Sequence, residues 1–177
     1  MKKNVFLILF LLLAIIVTGS IVIKKNKNIS FKGTEKAQIG MPAPEFSLKD
    51  INGKVWHLKD LKGKIIILNF WASWCNECKE EKKSMQSYLK NNGSSDDLVF
   101  LTVLYKDNPA NVLEMIQKED LKIPVLIDDG IVSSVYGIKG VPETFLIDKK
   151  GILRRKIVGP IPWDDSHTIP HLRQVLS

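Results

Sequence analysis

Long apolar runs separated by polar breaks divide this chain. The first, Val5 to Ile23, carries no charge and leads straight into Lys24-Lys25-Asn26-Lys27. It is close to the ~20 apolar residues that a bilayer-crossing helix needs. A cleaved signal peptide would end in an Ala-x-Ala-like site, whereas here Thr18-Gly19-Ser20 lies inside the run. The pattern predicts an uncleaved signal-anchor over residues 1–28, and no cysteine follows the run to carry a lipid. Lysines flank both ends, so the positive-inside rule sets no orientation. The N-terminal, signal-like placement predicts that the domain that follows lies on the extracytoplasmic side of the cell membrane. Residues 29–38 mix Asn, Ser, Lys, Gly and Thr without periodicity and read as a linker, leaving 39–177 as one domain.

Within the domain the apolar period changes from element to element. Phe46-Ser47-Leu48 and Val55-Trp56-His57-Leu58 alternate around Asp50-Ile51-Asn52-Gly53-Lys54, a hairpin signal. Ile65 to Phe70 is a nearly continuous β-branched run, the pattern of a strand buried on both faces of a parallel sheet. Helix formers follow from Cys75 to about Leu89, and Asn91-Asn92-Gly93 supplies the stop. Leu98 to Leu104 is a second buried strand. After Pro109 the segment to Glu119 places Val112, Leu113 and Ile116 at helical spacing, completing a βαβ-type unit. A short strand at Pro124–Ile127, a short helix at Ile131–Tyr136 ended by Gly137, a hairpin of Thr144–Ile147 with Ile152–Val158, and a helix at Pro170–Leu176 finish the chain.

Charge changes the picture little. The chain has a formal net charge of +7 from 26 basic and 19 acidic residues. Five of the basic residues precede residue 30, where there is no acid, so the remainder carries 21 against 19. No basic patch with interleaved aromatics survives, and nucleic acid is not an expected partner.

The two cysteines change it decisively. Cys75 and Cys78 are the only ones in the chain, three apart where the buried strand gives way to the helix. One helical turn separates the sulfurs, which suits a disulfide that forms and breaks in place. Cys75 stands at the helix start, where free N–H groups favour a thiolate, and is assigned the attack; Cys78, one turn inside, resolves the mixed disulfide. As a structural staple a bridge over so short a loop would be weak. Haem attachment needs a His after the second cysteine, and Lys79 stands there; a zinc site would have to draw on three scattered histidines. No metal and no cofactor beyond the disulfide is expected. Glu77 between the cysteines either opposes the thiolate or is a solvated helix-start acid. Cys78, Glu81, Met85 and Leu89 share a helix face, so Glu81 either exchanges protons with Cys78 during resolution or forms an intrahelical pair with Lys82, Lys83 or another lysine. Val141-Pro142-Glu143-Thr144, before the next strand, is on its own a turn.

Phe70-Trp71-Ala72-Ser73-Trp74-Cys75 with Cys78 and Glu81, Tyr136 through Asp148, and the entry Met41-Pro42-Ala43-Pro44-Glu45-Phe46-Ser47-Leu48 together resemble the membrane-anchored thioredoxin-like proteins of the TlpA, ResA and DsbE/CcmG group. The resemblance covers Ile39 to about Val158. It implies an α/β thioredoxin-like fold, a mixed central sheet flanked by helices, with an added N-terminal β-hairpin and a central insertion. It also implies a cis Pro142 facing the cysteines, with Val141 backbone free to pair with a substrate strand beside Trp74, and Glu81 and Glu143 lining the site. Ordinary thioredoxins carry a buried Asp where this chain has Asn69, which cannot exchange protons, leaving Glu81 as the candidate. Many relatives have proline where Glu77 stands, so a redox potential does not transfer. The likeness implies a reductant of exported disulfide proteins, such as apocytochrome c, fed by a membrane electron donor of the CcdA/DsbD type. Rival readings are a general extracytoplasmic reductase or oxidase in oxidative-stress defence, a thiol peroxidase, and a copper-binding chaperone on the same fold.

Overall fold

The structure is a computed structural model that describes residues 36–176, Ser94 and Asp120 excepted. The expected signal-anchor and most of the linker lie outside the described residues; among these no helix is long and apolar enough to cross a membrane. The chain opens with an antiparallel hairpin, β1 (Ser47–Lys49) and β2 (Val55–His57). The Asp50 carboxylate closes its turn by accepting the N–H groups of Asn52 and Lys54 and the Trp56 indole N–H. Gly53 supplies the left-handed conformation there, φ +83°.

A five-stranded sheet follows, built from β3 (Ile65–Trp71), β4 (Leu98–Leu104), β5 (Val125–Ile127), β6 (Glu143–Ile147) and β7 (Leu153–Val158). Its order is β5-β4-β3-β6-β7, with β5–β4 and β4–β3 paired parallel and β3–β6 and β6–β7 paired antiparallel. The helices are α1 (Asn76–Asn92), α2 (Pro109–Glu119), α3 (Ile131–Val135) and α4 (Thr168–Leu176). This is the thioredoxin-like α/β fold with a mixed central sheet, in which α2, β5 and α3 connect β4 to β6.

Every residue of β3 is buried, which explains its unbroken apolar run, but period 2 still sorts its side chains. Ile65 and Ile67 join Met85 of α1 and Trp163, Ile169, Leu172 and Leu176 of the C-terminal segment in one core cluster. Phe70 points the other way, into an aromatic group with Tyr136 (5.6 Å) and Phe145 (5.9 Å). Asn69 and Trp71 therefore fall on the α1 face. Both sheet edges are partly covered. Gly40 N–H bonds Leu153 C=O and Leu153 N–H bonds Met41 C=O beside β7, while Ile51 N–H bonds Val125 C=O beside β5. The basic side chains Arg154, Arg155 and Lys156 line the rest of β7, a common defence against edge pairing.

Candidate active site

The cysteines stand where β3 ends and α1 begins, and they are joined in a disulfide with Cα atoms 5.3 Å apart. Cys75 is the N-cap of α1 in extended conformation, and its Sγ accepts the Cys78 N–H at 3.1 Å. This is the place a Ser or Asp usually fills, and an N–H aimed at the sulfur favours negative charge on it. Cys75 is 9% exposed and Cys78 fully buried, an asymmetry that allows a substrate to reach only the first. Asn76 and Glu77 are exposed in the first turn.

Both cysteines belong to a buried cluster with Trp71, Ala72, Leu104, Val112 and Val125. Trp74 is 59% exposed, its indole N–H donating to the Lys106 carbonyl at 3.4 Å. The loop after β4 braces the cysteine loop. Asp107 Oδ2 accepts the Ser73 N–H at 2.5 Å, and Tyr105 N–H bonds the Trp71 carbonyl at 2.8 Å. Burial pushes the Asp107 carboxyl up, but its bonds to Ser73, Asn111 and Asn108 outweigh this and hold it below the ordinary value.

Opposite the cysteines the Val141–Pro142 bond is cis, and the Val141 carbonyl lies 3.7 Å from Cys75 Sγ. In the oxidised state the sulfur has no proton to donate, so this is a contact. Val141 is half-buried and Pro142 buried. Glu143 is brought to the same end of the sheet but is itself buried: its carboxylate meets Lys156 Nζ at 2.7 Å and the Lys139 N–H at 3.4 Å.

Glu81 is 2% exposed, on the buried stripe of α1 with Cys78, Lys82 and Met85. Its Oε2 accepts Asn69 Nδ2 at 3.0 Å, and its Oε1 accepts the Ile161 N–H at 3.1 Å and the Trp163 indole N–H at 3.2 Å. Lys82 Nζ lies 3.8 Å from Oε2. Glu81 is thus buried on the face of Cys78 and has the neighbouring Lys82 as its lysine partner. Lys83 pairs instead with Glu80 at 2.8 Å. The sequence reading missed three parts of this layer: Lys82 as a buried group, Asn69 and Thr144 as its bridge to β6 (2.8 Å), and the C-terminal segment as the wall behind Glu81. A signal for Lys82 existed, since residue 82 has the helical phase of 78 and 85.

Among the described residues no group of His, Cys, Asp or Glu could hold a metal ion. The arrangement can shuttle two electrons: Cys75 attacks a disulfide, and Cys78 displaces the bound sulfur from below.

Comparison with known proteins agrees. The AhpC/TSA family model matches residues 39–156. The thiol-disulfide oxidoreductase ResA of a Bacillus cereus strain is 37% identical over 161 residues, 90% of this chain and 91% of that protein. StoA from Bacillus subtilis is similar in structure with a TM-score of 0.61 at 29% identity, over 78% of this chain and 99% of that one. A thiol:disulfide interchange protein of the thioredoxin family from Chlorobium tepidum TLS gives a TM-score of 0.69 at 26% identity, over 79% and 99%. A paired, half-shielded cysteine couple on this fold, with relatives of that activity over nine-tenths of the length, identifies the chain as a thiol-disulfide oxidoreductase belonging to the AhpC/TSA family.

Proposed function

We propose that this oxidoreductase is exported, tethered to the cell membrane by residues 1–28, and works outside the cytoplasm as a reductant of protein disulfides. The observation that carries the mechanism is the division between a rim cysteine capping α1 and a fully buried partner. The Cys75 thiolate attacks a substrate disulfide, one substrate sulfur leaves and takes up a proton, and Cys78 then displaces the other. The substrate gains two electrons and two protons, and the pair closes as the disulfide seen here. Exposed Trp74 and the Val141 backbone flank Cys75, the more accessible of the two cysteines, and would receive an extended substrate segment. Glu81 supports Cys78 from the buried side.

A reductant must be reduced again, which calls for an electron donor in the membrane, of the CcdA/DsbD type. Apocytochrome c, whose haem-binding cysteines must be free before haem is attached, is the substrate that fits the family resemblance. The uncharged Val5–Ile23 run supports the tether. Equilibration with glutathione or dithiothreitol tests the direction. A low, reducing potential is expected; a potential near those of strong oxidants, about −120 mV, would overturn the reductase reading. In Cys78→Ser, trapped mixed disulfides should carry exported proteins, apocytochrome c among them, and Cys75→Ser should trap none.

A further inference from the structure

Among the described residues Lys82 is the only basic side chain in the buried polar set, 1% exposed. Burying an ammonium is costly unless its charge is matched, so its surroundings are informative. Asn69 Oδ1 accepts one N–H, Glu81 Oε2 lies at 3.8 Å, and the Trp71 ring centroid is 5.2 Å from Nζ. Three ammonium protons thus meet one hydrogen-bond acceptor, one carboxylate beyond hydrogen-bond reach and one aromatic face. Burial drags the lysine from its ordinary 10.5 down to about 8, against the opposing pull of Glu81.

The position links this cation to the chemistry. Lys82 follows Cys78 by four residues on the same stripe of α1, and the Trp71 ring beside Nζ belongs to the same buried cluster as Cys75 and Cys78. β3 presents neutral Asn69 and Trp71, β6 presents Thr144 through Asn69, and the C-terminal segment presents the Ile161 and Trp163 N–H groups to Glu81. Among the described residues Glu81 is the charged partner recorded for Nζ. Lys82 therefore supplies the countercharge of this layer: without it, a buried carboxylate held by neutral N–H donors stands with no cation one turn from the resolving sulfur.

We propose that Lys82 is a positioning residue of the redox centre, which neutralises Glu81, holds Asn69 as the bridge between α1 and β6, and sets the pH at which Cys78 ionises to resolve a mixed disulfide. The proposal rests on the two-cysteine mechanism above. In the step concerned, the Cys78 S–H bond breaks and its proton goes to solvent. The Cys78–Cys75 bond forms as the Cys75–substrate bond breaks, and the departing substrate sulfur carries the electron pair and is protonated from solvent. A cation beside Cys78 favours the thiolate, and a lone carboxylate opposes it.

The test follows the two equivalents of thionitrobenzoate that the reduced full-length chain, in detergent, releases from 5,5′-dithiobis(2-nitrobenzoate). The first is bimolecular attack by Cys75; the second is first-order displacement by Cys78. Lys82→Met should raise the pH midpoint of the second phase by about one unit or more and slow it about tenfold at pH 7, well beyond any change in the first phase. Lys82→Arg, which keeps the charge, should stay closer to wild type. Unchanged second-phase profiles in a folded Lys82→Met overturn the proposal. Should Lys82→Met fail to fold, the wild-type Lys82 resonance decides: coupling is mutual, so reduction of the disulfide must move the lysine midpoint upward, and equal midpoints in both states overturn it. Failure of the wild type to release a second equivalent would overturn the two-cysteine mechanism, and this inference with it.

Discussion

The C-terminal segment should stabilise the redox layer by a measurable amount through Trp163. Its indole is fully buried, packs edge-to-face on Phe100 at 5.3 Å, and donates to Glu81 Oε1 at 3.2 Å. Trp163→Phe keeps an aromatic ring in the cluster and removes the donor. A hydrogen bond to a charged group contributes about 1.5–3 kcal/mol, and its loss leaves part of the Glu81 carboxylate buried with one partner fewer. Shrinking the ring adds on the order of 1 kcal/mol for atoms removed from a close-packed site. The expected loss is about 2–4 kcal/mol, and Trp163→Ala, which also forfeits the Phe100 contact, should exceed it at about 4–6 kcal/mol. With a urea m-value of about 2 kcal/mol/M, the Phe variant unfolds about 1–2 M earlier. Urea titration of the oxidised chain by far-UV circular dichroism avoids reliance on the altered tryptophan signal. A double-mutant cycle with Glu81→Met, which has no acceptor oxygen, isolates the bond. A Trp163→Phe midpoint within about 0.3 M of wild type at equal m, or zero coupling in the cycle, would refute the reasoning.

Three further outcomes are expected. Reducing the disulfide, which closes a loop of four residues, should cost only about 2 kcal/mol by loop entropy, read as the shift in urea midpoint with dithiothreitol; a loss above about 4 kcal/mol would mark it as a structural staple. Burial pushes the Asp148 carboxyl up, but the Ile152 N–H, the Arg154 guanidinium and the Lys150 N–H outweigh it and hold the pKa below the ordinary value. Its stabilisation is complete above the unfolded-state pKa near 4 and is lost as pH falls from there through the lower folded value. Asp148→Asn should therefore melt earlier at pH 7 and show a shallower decline in melting temperature below about pH 4; parallel acid limbs in the two proteins would contradict this. Trp74→Ala should lower kcat/KM for a protein disulfide roughly fivefold, about 1 kcal/mol, and leave reaction with glutathione disulfide unchanged. Equal losses for both substrates would show that the indole acts on Cys75 rather than on the substrate.

What could be read from the sequence followed local physics. The β-branched runs of β3 and β4 and the Asn52-Gly53 turn carry their own signals, and α1 begins at a cysteine cap and ends at Asn92 before Gly93, as its residue types require. The path from Gly159 to Ser166 carries no such signal. Pro160 and Pro162 bring no N–H, and residues 161 and 163 are fixed by tertiary bonds: Ile161 N–H and the Trp163 indole to Glu81, and Trp163 N–H to Ser84 Oγ at 3.2 Å. Lys82 was hidden for a different reason. Helical phase puts it on the buried stripe, but a lysine is almost never fully buried unless paired, and the pairing comes from β3, thirteen residues earlier. The surroundings of Glu143 were equally invisible, because Lys156 reaches it from the neighbouring strand β7, two positions from its register partner Val158.

The same layer explains why an amide stands at position 69. Period 2 turns this residue toward α1, where it meets a carboxylate and an ammonium from consecutive residues. A side chain there must donate to Glu81 and accept from Lys82, and Asn does both. Its Nδ2 spans Glu81 and Thr144, and its Oδ1 takes the Lys82 proton. An Asp would offer acceptors only. It would face Glu81 Oε2 at about the 3.0 Å now bridged by an N–H, and two carboxylates at that distance cannot both ionise. A leucine would strand the Lys82 ammonium and the Glu81 oxygen together. Once the charged pair resides on the helix, the strand must contribute a neutral group with both a donor and an acceptor. The buried acid of this layer stands on α1, and Asn69 is the residue on the strand that makes it compatible with a buried cation.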